Sequence, residues 1–99
     1  MKENLKKIIE HYGVNNQQRK LMEEIFELQE AITQKEYPAI AKGYKNEQLD
    51  KLEKEHIEEE FADVMVILEQ FKIYYNLDND KIVDIMYKKI DRQLERIKK

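Results

Sequence analysis

Apolar residues recur along this chain at helical intervals. Leu5, Ile8, Ile9 and Tyr12 keep the i, i+3, i+4, i+7 spacing of a short amphipathic helix, and Gly13 suits the position just past its end. Leu21, Ile25, Leu28 and Ile32 mark the inner stripe of a second helix, capped by Asn15 or Asn16 and running to about residue 35. Residues 36–46 (EYPAIAKGYKN) hold the single Pro and the second Gly, and are predicted to form the one long loop. A third helix is predicted from about residue 47 to 75, with Ile57, Phe61, Val64, Leu68, Phe71 and Tyr75 in register. Asn76, Asp78 and Asn79 make a polar break that can cap a fourth helix, from residue 80 to about 97. No linker or low-complexity tract divides the chain. The pattern predicts one all-α domain over residues 1–99, a four-helix bundle with antiparallel neighbours.

One segment departs from amphipathicity. Val64, Met65, Val66, Ile67 and Leu68 are five successive apolar residues, so they cover the whole circumference of their helix. A helix that is apolar all round is buried all round. A four-helix monomer would leave part of this surface wet, and a chain this short buries a limited share of its surface. The segment therefore predicts a bundle completed by oligomerisation, as a homodimer or homotetramer, in preference to a fully internal helix in a monomer.

Composition narrows the classes further. The chain is 41% hydrophobic and 39% charged with two Gly and one Pro, which suits long amphipathic helices and not a turn-rich sheet protein. Its net charge of −3 arises from 18 basic and 21 acidic residues and gives no reason to expect nucleic-acid or membrane binding. The absence of cysteine excludes disulfides, thiolate catalysis and Cys-ligated zinc or iron–sulfur sites. The first helix carries charges where a signal peptide would be apolar, and no stretch approaches the roughly 20 apolar residues of a membrane span. A soluble, cytoplasmic protein is expected.

The chemistry lies in a duplicated acidic pattern. Leu21-x-x-Glu24-Ile25-x-Glu27-Leu28 returns 36 residues later as Ile57-x-x-Glu60-Phe61-x-Asp63-Val64. At about 100° per residue, each acid pair lies about 60° and 120° from its apolar stripe, on the same hand in both helices. Glu23, Glu30 and Glu59 point roughly opposite, as solvated acids would. An antiparallel helix pair with facing stripes has an approximate two-fold axis perpendicular to the helices, which brings same-handed flanks to one side. The four acids then converge. Two unit charges 6 Å apart cost roughly 3 kcal/mol even at an effective dielectric of about 20, so such a cluster needs cations. All-oxygen ligation suits hard ions such as Mg²⁺ and Mn²⁺, and carboxylate-held Mg²⁺ commonly takes phosphate oxygens on its other side. A lone E-x-x-E among 21 acids is ordinarily a salt-bridged surface; two copies with identical offsets are harder to attribute to chance.

LMEEIFELQEAI followed by HIEEEFADVMVILEQF resembles the E-x-x-E and E-x-x-D motifs of MazG-like proteins, within the all-α nucleotide pyrophosphohydrolase superfamily. The resemblance covers both central helices. It implies Mg²⁺-dependent hydrolysis of a nucleoside or deoxynucleoside triphosphate to the monophosphate and pyrophosphate. Glu24, Glu27, Glu60 and Asp63 would be metal ligands and catalytic residues, one of them activating the attacking water together with the metal.

Other residues carry weaker signals. Lys89, Arg92 and Arg96 share one flank of the fourth helix and can hold a polyphosphate through charge-assisted hydrogen bonds. Lys89-x-x-Arg92 also looks like the basic segment that follows the acidic motifs in MazG-like proteins. The competing explanation is that cations in the last turns of a helix complement its dipole. Tyr37, Lys42, Tyr44 and Lys45 in the loop are ordinary loop residues or a lid over base or phosphate. His11 and His56 read as surface or packing residues. Glu53-x-x-His56 evokes di-iron carboxylate proteins, but those need two such motifs and His11 has Ile8 three residues before it. The remaining rival, a non-catalytic helical interaction protein, explains the composition but not the duplicated acids.

Overall fold

The computed structural model describes residues 1–33 and 47–98. Four helices run through them: α1 (Lys2–Tyr12), α2 (Val14–Thr33), α3 (Glu47–Tyr74) and α4 (Asn79–Ile97). No strand occurs among the described residues, and no described helix is long and apolar enough to cross a membrane. The expected loop at 36–46, with Tyr37, Lys42, Tyr44 and Lys45, lies outside them.

Local chemistry sets the breaks. Gly13 closes α1 at φ +88°, its N–H donating to Ile9 O at 2.9 Å. An added Cβ there would meet nothing within 4 Å, so the backbone angle, not space, calls for glycine. The Asn cap expected for α2 acts elsewhere. Helix α2 starts at Val14, and Asn16 Nδ2 donates to Tyr12 O at 2.7 Å, closing the end of α1. Helix α3 ends in a Schellman arrangement. Asn76, at φ 53°, donates to Ile73 O at 3.1 Å, and Leu77 N–H donates to Lys72 O at 2.9 Å. Asp78 then caps α4, its Oδ1 accepting from the N–H groups of Asp80 and Lys81 at 3.0 and 3.2 Å.

Helices α1, α2 and α3 pack together. Their apolar core is small: Leu5, Ile9, Ala31, Val64 and Ile67 are buried. The burial line of α2 is rotated from the stripe read in the sequence. It passes through Gln17, Glu24 and Ala31, with Leu21 and Leu28 half-buried, while Ile25 and Ile32 are exposed. On α3 it follows Val64, Ile67 and Gln70, and leaves Phe61 and Leu68 outside. Two polar side chains of α2 therefore occupy positions that apolar periodicity alone assigns to Leu and Ile.

Helix α4 contributes no buried residue. Val83, Met86, Ile90, Leu94 and Ile97 are all exposed, and so are Met22, Ile25, Phe26, Phe61 and Met65 on the other helices. The radius of gyration is 17.5 Å, against about 13 Å for a compact domain of 100 residues. Within the Val64–Leu68 segment, Val64 and Ile67 are buried while Met65, Val66 and Leu68 are exposed. The fully internal α3 of a compact monomer is thus not what this chain builds.

Candidate metal centre

Gln17 on α2 meets Gln70 on α3 through a 2.8 Å hydrogen bond. Two turns further along α2, Glu24 meets Glu60 and Asp63, earlier in α3. Partner numbers fall along α3 as they rise along α2. That register is what brings the duplicated acids to one side.

Glu24, Glu60 and Asp63 can each present a carboxylate oxygen within 4.8 Å of the others. Their environments differ. Glu24 is only 6% exposed, Glu60 is half-buried, and Asp63 is exposed. Glu27 stands at the exposed rim. Its carboxyl is pushed above the usual range, chiefly by the negative charge of Glu24, then by burial and by the charge of Glu60. Glu60 is also raised, first by burial and next by the charge of Asp63, with His56 opposing. All four acids of the duplicated pattern are therefore electrostatically one cluster.

Two oxygens in this cluster meet no amide, hydroxyl or cationic donor, although the Glu27 carboxyl interacts with both Glu24 and Glu60. Glu24 Oε2 and Glu60 Oε2 are buried with no hydrogen-bond partner among the described residues. Leaving a buried charged oxygen unanswered is expensive, and native structures avoid it. A hard cation is the species such a donor set fits: several carboxylate oxygens, no soft ligand, and access from the exposed Asp63 and Glu27 side.

Two neighbours of the acids, Lys20 and His56, are not assigned to the site by sequence alone. Lys20 Nζ sits 3.0 Å from Glu24 Oε1, and the hydrogen bond and charge of Glu24 raise the lysine above its ordinary value. His56, read as a surface or packing residue, is half-buried beside Glu60. A signal for both was present, because the duplicated pattern extends one residue upstream as Lys20-Leu21 and His56-Ile57. Each first acid thus has a basic residue one helical turn before it.

Beside the acids lies an open cleft of about 610 Å³ between α1, α2 and α3. Glu24 and Asp63 stand on its wall together with Arg19, Lys20, Tyr12 and Gln70. Among the described residues, the cations that line this space within one chain come from α2. Lys89, Arg92 and Arg96 are exposed on α4 and none of them lines the cleft. His11 is exposed and packs edge-on against Tyr12, with ring centroids 4.8 Å apart.

Compared with protein-family models, with characterised proteins and with solved structures, the chain has no match in any of the three.

Proposed function

We propose that this chain is a divalent-cation-dependent nucleoside triphosphate pyrophosphohydrolase of the MazG-like kind. The observation that carries the reading is the pair of buried oxygens, Glu24 Oε2 and Glu60 Oε2, met by no cationic side chain and packed against further acids. A salt-bridged surface would answer those oxygens with cationic side chains. Here Lys20 answers only Glu24 Oε1. Glu24, Glu60 and Asp63 would hold Mg²⁺ or Mn²⁺, with Glu27 adding a fourth carboxylate at the rim.

The bound cation would supply Lewis-acid stabilisation of the charge that develops on the phosphoryl oxygens. The protein's own groups do the rest. Lys20 holds Glu24 in place, and burial by the α2–α3 contact keeps the first acid of each motif from turning to solvent. Arg19 and Lys20 border the cleft where a polyphosphate would enter, and both can donate to its oxygens. In the overall reaction, water adds across the bond joining the α- and β-phosphoryl groups. Nucleoside monophosphate and pyrophosphate leave, with the water's oxygen on one product and its protons released or carried by them.

The active species in this proposal is a homo-oligomer, a dimer or tetramer. Large apolar side chains on α4 and on the outer faces of α2 and α3 stand in water in a single chain, and exposed apolar patches of this extent mark interaction surfaces. A second copy laying α4 against those faces would complete an antiparallel bundle, and is the route by which Lys89, Arg92 and Arg96 would approach the acids. The same surfaces favour a second reading, a non-catalytic helical interaction protein, but that reading leaves the orphaned oxygens unexplained. A titration with Mg²⁺ and Mn²⁺, followed by product analysis on a panel of nucleoside triphosphates, separates the two. The enzyme binds metal and releases pyrophosphate; the interaction protein does neither.

A further inference from the structure

The α2–α3 contact contains a second polar feature, set apart from the acids. Gln17 is 7% exposed and Gln70 is 2% exposed. Their side chains meet in one hydrogen bond, Gln17 Nε2 donating to Gln70 Oε1 at 2.8 Å. A primary amide carries two donor hydrogens and an acceptor oxygen. The contact therefore leaves the amide nitrogen of Gln70 and the amide oxygen of Gln17 without a protein partner among the described residues.

Both glutamines line the cleft that also holds Glu24 and Asp63. The open donor and the open acceptor sit on neighbouring groups. That is the complement of a cis-lactam or amidine edge, the arrangement a nucleobase offers on its hydrogen-bonding side. Turning both amides over exchanges their oxygens and nitrogens and preserves the result, one donor beside one acceptor. Tyr12 stands on the same cleft and offers a ring face for stacking. Gln17 and Gln70 each lie seven residues from the nearer acid, Glu24 or Asp63, about 10 Å along a helix axis. A sugar and its first phosphate bridge a separation of that kind between a base edge and a metal-held phosphoryl group.

We infer that Gln17 and Gln70 form the floor of a nucleobase subsite, read a paired donor–acceptor edge, and set the base preference of the cleft. The inference deepens the proposed triphosphate reading, but its binding step involves neither the metal nor the phosphates. It is therefore tested with nucleosides in EDTA, by NMR titration of the parent chain, of Gln17→Met, of Gln70→Met and of the double variant. The parent should bind at least one nucleoside with a free lactam or amidine edge, with shifts at residues of α1, α2 and α3 around the cleft. Methylation of that edge, as in 3-methyluridine or 1-methylguanosine, should abolish binding. The double variant should bind about tenfold more weakly or worse, keep its melting temperature, and keep the parent's affinity for Mn²⁺. Failure of the parent to bind any nucleoside overturns the inference, as does equal binding by parent and double variant. Nucleoside binding lost in the double variant, from a parent that releases no pyrophosphate from any triphosphate, supports the subsite and overturns the catalytic reading instead.

Discussion

Lys20 and Glu60 lie on opposite sides of the same electrostatic balance, and their substitution should move stability in opposite directions. Lys20→Met removes the cation 3.0 Å from a carboxylate that is 6% exposed. A hydrogen bond to a charged group contributes about 1.5–3 kcal/mol, and because the Lys20 side chain is half exposed the lower end applies. At roughly 4–8 °C per kcal/mol for a domain of this size, the metal-free variant should melt about 6–12 °C below the parent. Glu60→Gln does the reverse. Its carboxylate can lie within 4.8 Å of those of Glu24 and Asp63, a repulsion of about 3 kcal/mol for each at an effective dielectric of about 20. Solvent screening at the exposed Asp63 and the half-buried Glu60 reduces the relief to about 1 kcal/mol, a rise of roughly 4–8 °C in EDTA. Added Mg²⁺ should reverse the order. At 100 times Kd it stabilises the parent by about 2.7 kcal/mol, Lys20→Met should recover much of its deficit, and Glu60→Gln should gain little. Melts followed by circular dichroism in EDTA and in excess Mg²⁺ measure all of this. If both variants fall together in EDTA and both respond to Mg²⁺ as the parent does, the acids form structural ion pairs and the metal-site argument is wrong.

The pH dependence follows from the same cluster. Glu27 and Glu60 are raised above the ordinary 4.5, so their contribution to stability is fully present below that value and is lost as pH rises through their folded pKa values. The metal-free protein should therefore lose stability from these two groups on going from about pH 4.5 toward neutrality, and excess Mg²⁺, which needs the ionised forms, should abolish or invert the trend. Light scattering should give a mass that is a multiple of 12.1 kDa, and Ile90→Glu on the exposed face of α4 should dissociate the assembly. A dissociation-resistant Ile90→Glu variant would remove α4 from the interface. If Lys89 and Arg92 reach the acids of a second copy, Glu60→Gln and Arg92→Ala should each be inactive alone and regain activity when mixed and allowed to exchange subunits. No recovery on mixing would place Arg92 outside the site.

The helices and their breaks were legible because they rest on local rules: apolar spacing, a glycine beyond Tyr12, and an aspartate before α4. That Glu24, Glu60 and Asp63 come together was legible too, because the two motifs carry their acids at identical offsets from their apolar stripes. The rotation of α2 was not. Periodicity assigns the inner face to Leu and Ile, yet Gln17 and Glu24 occupy it, and a polar residue in a contact line is recognised only from the partner that answers it. Gln70 is 53 residues from Gln17 and Asp63 is 39 from Glu24, separations at which one sequence gives no pairing signal. The sequence alone does not place the basic residues of α4, for a related reason. Lys89, Arg92 and Arg96 share a clear flank, but a flank has meaning only against a neighbour, and α4 buries no residue within the chain. Lys20 and His56 looked ordinary although each stands one turn before a site acid.

Pyrophosphate release bears most directly on the central claim. The chain is incubated with canonical and damaged nucleoside and deoxynucleoside triphosphates in Mg²⁺, and products are resolved by phosphorus NMR. At least one substrate should yield monophosphate and pyrophosphate together from the first time point, EDTA should stop the reaction, and Glu24→Gln, Glu60→Gln and Asp63→Asn should not support it. Orthophosphate with intact diphosphate as the first products, or no cleavage of any triphosphate by a chain that also fails to bind Mg²⁺ and Mn²⁺, would contradict the account.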